Sequence, residues 1–321
     1  MPAVAASIDV VVPVHDHYAL TSACLEHLAR QTAPHRVIVV DDGSNDGTAA
    51  LLGRDWPAVT TIELGSNHGY TAAVNRGVSA GEGEYVVLLN NDVELRSDCL
   101  ERLVAPLQAD AEIGSVAALM LAPGEETIDS VGVTADATLA GFARLQGHPV
   151  ADARRSEPLL TGPEGTAGAY RRSAWEATGG LDEGIRAYME ILDLALRLHT
   201  AGWKTASAPD AVGVHLGSST YGRRSATQRR LSGFSRAYLL RRYGVMSSRA
   251  AARALVTETI VVGGDMLLCH DLQALRGRVE GWRAARRCER RQWPPSEAID
   301  ASISLRDSLA LRRGAVRVRS S

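Results

Sequence analysis

Three short runs hold the side chains with chemistry to offer. Asp41 and Asp42 close the apolar run Val37-Ile38-Val39-Val40 and open the turn Gly43-Ser44-Asn45-Asp46-Gly47. Asn90-Asn91-Asp92 follows Tyr85-Val86-Val87-Leu88-Leu89 in the same manner, and Pro13-Val14-His15-Asp16 ends a third apolar run. An acidic pair at a strand end is poorly placed for packing and well placed to hold a ligand, because open α/β sheets bind ligands in the crevice outside their strand C-termini. Carboxylates beside a Gly-rich turn suit a nucleotide with a divalent metal on its phosphates. Hard oxygen ligands match Mg²⁺ or Mn²⁺. The plain alternative for 37–48 is a strand, a turn and a helix cap with solvated acids.

These runs need a scaffold that brings them together. Apolar strands are expected over 7–12, 37–40, 59–64, 85–89 and 114–119. Helices are expected over 21–31, from Thr48, over 70–80, and from a Ser97 cap to about Gln108. Strands alternating with helices of this length imply βαβ units and a mostly parallel sheet, with the three polar loops on one edge. The chain lacks G-x-x-x-x-G-K-[ST], which excludes a P-loop, and lacks G-x-G-x-x-G after the first strand, which argues against a dinucleotide site.

Composition narrows the class further. The 321 residues are 45% hydrophobic and 22% charged, with net charge −2, so no global field points to nucleic acid. Lys204 is the sole lysine among 35 basic residues, which reads as a codon bias towards Arg. Cys24, Cys99, Cys269 and Cys288 form no C-x-x-C pair and fit reduced thiols in a cytoplasmic protein. The N-terminal residues lack a signal-peptide pattern. No uncharged run reaches the ~18 residues of a membrane span.

The ordered motifs resemble the family 2 glycosyltransferases of GT-A fold, in particular a rhamnosyltransferase-like bacterial branch that builds surface polysaccharides or lipid-linked glycans. The motifs are Val10 to His15, Val39 to Thr48, Asn67-His68-Gly69, Asn75-Arg76-Gly77, Gly83 to Asn90-Asn91-Asp92, Gly168 to Arg172, Gly179-Gly180-Leu181-Asp182-Glu183, and Tyr188 to Arg197, ending near His215. The resemblance covers about two-thirds of the chain. It implies a GT-A domain over 1–220 and leaves 221–321 as a helical, Arg-rich extension with a disordered tail.

Roles follow from the resemblance position by position. Pro13, His15 and Asp42 border the base and ribose, and Asn67, Asn75 and Arg76 close over the nucleotide, with Asn91 beside it. Asn90-Asn91-Asp92 stands at the family's DXD position, with Asn in place of the first acid. Asp92 becomes the main metal carboxylate, and His215 completes the metal site or meets the diphosphate. The implied activity is inverting transfer of a hexose or deoxyhexose from a nucleoside diphosphate sugar, UDP or dTDP, to a hydroxyl of a glycan, a lipid-linked glycan or a small molecule. The segment 165–170 would line the sugar pocket.

The catalytic base departs from the pattern. Inverting transfer needs a carboxylate to deprotonate the acceptor hydroxyl, and the family places an Asp where Ile191 stands. Glu190 and Asp193 flank it, three apart on one helix face. Either acid takes the role after a small helix shift, or the base comes from elsewhere, or the protein binds a sugar nucleotide with weak or lost catalysis. Both acids also suit the positive N-terminus of their helix.

Beyond the resemblance, residues 221–230 carry four arginines in a stretch expected to be a mobile loop. A helix is expected over 232–243. Residues 250–270 read as a packed helix or helix pair with a Gly263-Gly264 break. The 270–291 segment holds seven arginines against three acids, with Leu272, Leu275, Val279 and Trp282 at helical spacing. Such a face suits an anionic membrane, which would place the protein at the inner face of the cell membrane. More often such a stripe is a docking face for the domain or a homodimer partner.

Overall fold

The computed structural model describes residues 8–185, 187–217 and 225–312. Its first half alternates as β1 (Ile8–Val14), α1 (Tyr18–Ala29), β2 (His35–Asp41), α2 (Thr48–Asp55), β3 (Thr60–Glu63), α3 (Tyr70–Ser79), β4 (Tyr85–Leu89), β5 (Val93–Leu95), α4 (Cys99–Ala109) and β6 (Ile113–Leu121). Short strands β7 (Ile128–Ser130), β8 (Val133–Ala135) and β9 (Gly141–Ala143) follow. Then come β10 (Ala167–Arg171), α5 (Arg172–Thr178), α6 (Glu190–Thr200) and β11 (Lys204–His215). The extension contributes α7 (Ala226–Arg242), α8 (Ala251–Cys269), α9 (Gln273–Ala284) and α10 (Leu305–Leu311).

The main sheet has the order β3-β2-β1-β4-β10-β6-β11-β5, with β7 on β6. The first four strands run parallel, so β1, β2 and β4 deliver His15, Asp42 and Asn90 to one edge. Strand β10 inserts antiparallel between β4 and β6, and β5 pairs antiparallel with the end of β11. The sheet is therefore mixed beyond its first four strands.

Two apolar layers cover it. Leu25 and Leu28 of α1 and Leu100, Leu103 and Leu107 of α4 pack on one face with Val10, Val12 and Val87. Val74 and Val78 of α3, Trp175 of α5 and Leu194 and Leu198 of α6 pack on the other with Val11, Ile38 and Leu88. Alternate strand residues thus face opposite layers, as a sheet buried on both sides requires.

The extension packs into the body of the protein. Tyr238, Leu239 and Tyr243 of α7 share a core with Leu192 and Leu196 of α6 and with Val133 and Leu139. A buried ion cluster fastens the same elements. Glu258 of α8 meets Arg236 of α7 at 2.7 Å and Arg278 of α9 at 2.7 Å, and Arg253 reaches Asp136 at 3.1 Å. Burial opposes the Glu258 charge, but Arg236, Arg278 and Arg312 outweigh it and hold the carboxyl down at about 2.

Several details differ from the sequence reading. Helix α4 is preceded by Asp98, not by a Ser97 cap. Helix α8 runs unbroken through Gly263-Gly264. Arg229 and Arg230 lie within α7, paired with Asp271 and Glu280, rather than in a mobile loop. Arg223, Arg224, the 220/221 boundary and the tail from 313 lie outside the described residues. No described helix is long and apolar enough to cross a membrane.

Candidate active site

The loops after β1 and β2 clasp each other. The Asp16 amide donates to Ser44 Oγ at 2.7 Å, and the Asn45 amide donates to Asp16 Oδ1 at 2.7 Å. His15 Nδ1 lies 2.9 Å from the Asp42 carbonyl. The Asp42 carboxylate is buried, at 4% exposure, and both its oxygens are engaged: Oδ1 accepts from the His68 amide at 2.6 Å and Oδ2 from the Gly69 amide at 2.8 Å. Gly43 makes this closeness feasible. Its φ is +74°, and a Cβ there would stand 2.5 Å from the Ser66 carbonyl carbon. Pro13 is half-buried in β1, while Asn67 and Arg76 are exposed. Asp42 retains further lone pairs with which to accept from a base.

A second cluster forms where β5 meets β11. Val93 pairs with His215, and the Leu216 amide donates to the Asp92 carbonyl at 3.0 Å, so His215 is set beside Asp92 by sheet register. His215 Nε2 lies 3.4 Å from Asp92 Oδ2, and Nδ1 lies 2.8 Å from Asp129 Oδ2. Burial works against charge on this ring. The contacts to Asp129 and Asp92 outweigh it and raise the imidazole to about 10.

No group of three or more His, Cys, Asp or Glu side chains that could hold a metal exists among the described residues. Once Nε2 gives up its proton, a carboxylate and an imidazole whose other nitrogen is held by a second carboxylate nonetheless fit a divalent ion that takes its remaining ligands from diphosphate oxygens and water. Asp129 is absent from the sequence reading. It sits between buried Ile128 and Ser130 in a three-residue strand, too short to show a period.

The third part is the start of α6. Tyr188 and Met189 both adopt left-handed backbone, φ 63° and 65°, immediately before Glu190. Non-glycine residues in this region cost energy and persist where the surroundings impose them. Glu190 is 9% exposed, and its buried Oε2 has no hydrogen-bond partner. Burial, helped by the nearby Glu164 and Asp193 charges, pushes its carboxyl up to about 7. Tyr70, whose hydroxyl donates to the Gly165 carbonyl at 3.3 Å, is driven well above its usual range by burial and by the Glu190, Tyr170 and Glu164 charges. Tyr70 and Glu164 therefore border Glu190 and the 165–170 segment. Neither is singled out by the sequence reading.

Three expected site residues are occupied elsewhere. Asp193 is fully buried. It accepts from Arg197 Nε at 2.9 Å and from the Tyr243 hydroxyl at 3.1 Å, and it pairs with Arg291. Its oxygens are thus committed to Arg197, Arg291 and Tyr243, which tie α6 to the extension. Asn75 spends its amide joining α3 to the 181–183 loop: Nδ2 donates to the Leu181 carbonyl at 2.9 Å, and Oδ1 accepts from the Leu181 amide at 3.0 Å. Asn91 Nδ2 donates to Thr21 Oγ1 in α1 at 3.0 Å. Ile191, where the family's base is expected, is buried in the layer with Tyr170 and Trp175.

A mixed sheet with these strand-end clusters has the GT-A architecture. The chain matches the model of Glycosyl transferase family 2 over residues 9–177, more than half its length, and belongs to that family. It is 29% identical over 216 residues to the N-acetylglucosaminyl-diphospho-decaprenol L-rhamnosyltransferase of Mycobacterium tuberculosis, covering 60% of this chain and 70% of that one. It is 28% identical over 226 residues to the O-antigen biosynthesis protein RfbC of Myxococcus xanthus, covering 65% of this chain and 17% of that one.

Among solved structures, GalNAc-T7 with UDP, GalNAc and Mn²⁺ aligns with a TM-score of 0.61 at 14% identity, over 90% of this chain and 55% of that one. The mannosyltransferase PcManGT of Pyrobaculum calidifontis, in complex with GDP-Man and Mn²⁺, aligns with a TM-score of 0.51 at 18% identity, over 87% and 85%. Both likenesses establish the fold.

Proposed function

We propose that this glycosyltransferase moves a hexose or deoxyhexose from UDP or dTDP, with inversion, to a hydroxyl of a glycan, preferably one linked to a lipid. The observation that carries the reading is Glu190: a buried carboxylate with an unengaged oxygen, raised towards neutrality, at a helix start imposed by two left-handed residues. A base works best with its pKa near the working pH.

In the proposed reaction the acceptor hydroxyl gives its proton to Glu190 as its oxygen attacks the anomeric carbon. The bond to the diphosphate breaks, and its electron pair leaves with the phosphate oxygen. Asp42 and His15 hold the base and ribose side of the donor, with Pro13, Asn67 and Arg76 at its border. Asp92 and His215 would hold Mg²⁺ or Mn²⁺, whose charge stabilises the leaving diphosphate. A lipid-linked acceptor, as named for the mycobacterial relative, would bring the protein to the inner face of a membrane.

Ile191 favours a second reading, a sugar-nucleotide-binding protein with weak or lost catalysis. A donor-consumption assay on Glu190→Gln and Asp193→Asn, run beside calorimetry with UDP, dTDP and GDP plus Mn²⁺, separates the two. The enzyme reading expects turnover that Glu190→Gln removes while nucleotide binding stays. Tight metal-dependent binding with no turnover by the parent chain would favour the binding protein.

A further inference from the structure

Among the described residues, ten of the twelve exposed large hydrophobic side chains fall between Leu255 and Trp282, on α8, α9 and the corner between them. Helix α8 buries only Ala254 and Thr257 over its nineteen residues. Leu267 and Leu268, 76% and 84% exposed, stand at its end beside the left-handed corner at His270. Monomeric proteins rarely leave such contiguous apolar surface open without a use for it.

Helix α9 has two opposite faces. Gly277 and Gly281 press on α7: a Cβ at Gly277 would lie 1.9 Å from the Arg230 carbonyl oxygen, and one at Gly281 would lie 2.0 Å from that of Phe234. The other face presents Leu272, Leu275, Val279 and Trp282 to solvent, and it is rimmed by exposed Arg276, Arg283, Arg286 and Arg287. Of the nearby acids, Asp271 is paired with Arg229 and Glu280 with Arg230, both on α7. Asp265 is half-buried, and Glu289 is exposed near the end of the rim.

We infer that the α8–α9 corner and the outer face of α9 dock on an anionic lipid bilayer. Leu267 and Leu268 enter deepest, and the arginines meet lipid phosphates. An apolar stripe edged by arginines is the pattern of a helix lying in the membrane interface, and no described helix is fit to cross. A second copy fits less well. Two-fold pairing through this face would set the arginine rim against itself, with Asp271 and Glu280 already neutralised within the chain. The inference rests on the acceptor being lipid-linked, and it places that acceptor's membrane beside the extension.

The test is flotation of the full chain with two kinds of vesicle: phosphatidylcholine alone, and equal parts phosphatidylcholine and phosphatidylglycerol. The chain should float with the mixed vesicles, far less with the neutral ones, and less again as salt is raised. Leu267→Asp with Leu268→Asp should weaken binding by about a hundredfold. Arg283→Glu with Arg286→Glu should weaken it by more than about tenfold on the mixed vesicles only. Circular dichroism of both variants should match the parent.

A folded chain that floats with neither vesicle overturns the inference. So does a dimer in light scattering that Leu267→Asp with Leu268→Asp dissociates, which would assign the face to a second copy. Flotation needs no donor, so its outcome is separate from the enzymatic reading. A chain that floats but transfers no sugar breaks only that reading, and one that glycosylates a soluble acceptor without floating breaks only this inference.

Discussion

The edge of the sheet proposed to hold the donor and the start of α6 treat their carboxylates in opposite ways. At the donor edge each acid is engaged. Asp42 takes two backbone amides, Asp41 takes the Ser44 amide at 2.7 Å, and Asp92 and Asp129 flank His215. At α6, Glu190 keeps one buried oxygen unpartnered, while Asp193, one turn along, is held by Arg197, Arg291 and Tyr243. Groups that hold a ligand work best when rigid, and their spare lone pairs suffice. A group that must take up a proton needs a free oxygen and a charge that its surroundings do not stabilise.

The sharpest way to break this contrast is Glu190→Gln. On the proposed assignment turnover falls by about 10²- to 10⁴-fold, with nucleotide affinity unchanged by calorimetry. Parental turnover in this variant would remove Glu190 as the base. The parent's rate should also rise with pH through about 7, because Glu190 must lose its proton to act. A flat pH profile across that region counts against the same assignment.

Asp193→Asn should do the reverse. Removing one partner from a buried ion cluster leaves Arg197 without a carboxylate and Arg291 with Asp182 alone, and costs about 3–5 kcal/mol, read as a lower denaturation midpoint. Turnover per folded molecule should stay within a few-fold of the parent. A large loss of turnover without loss of stability would move the base role to Asp193.

These two acids also mark how far the sequence could be read. Strands β1, β2 and β4 were legible because each is a continuous apolar run ending in polar turn residues, and with them came the placement of His15, Asp42 and Asp92. Strands β5, β7, β8 and β9 have three residues each and carry no period. The antiparallel direction of β10 leaves no local signature. Glu190 and Asp193 look alike in sequence, three apart on one helix. What separates them is Arg291 and Tyr243, delivered from the extension by tertiary packing. Asn75 likewise matches the family motif, yet its amide is spent on Leu181.

Asp129→Asn sharpens the donor side. Asp129 holds His215 Nδ1, and carboxylates in that position orient a metal-ligating imidazole. Mn²⁺ affinity in the presence of UDP, followed by calorimetry, should fall by about 10- to 100-fold, with base recognition at Asp42 intact. An unchanged Mn²⁺ affinity would mean that His215 does not ligate the ion.

The smallest effect returns to Glu190 and concerns stability. In the folded chain this carboxyl keeps its proton to about pH 7, whereas an unperturbed glutamate loses it near 4.5. Between those values the folded state binds more protons than the unfolded one, so stability falls as pH rises through the window and levels off above it. The full shift sets a ceiling of about 3 kcal/mol. Gln cannot ionise and escapes this loss, but its buried amide needs hydrogen-bond partners of its own, which offsets part of the gain. Glu190→Gln should therefore gain about 1 kcal/mol over the parent above the window and little below it, measured by urea unfolding at both ends. An equal difference at both pH values would place the Glu190 carboxyl in contact with water, and the contrast with Asp193 would then reduce to charge pairing alone.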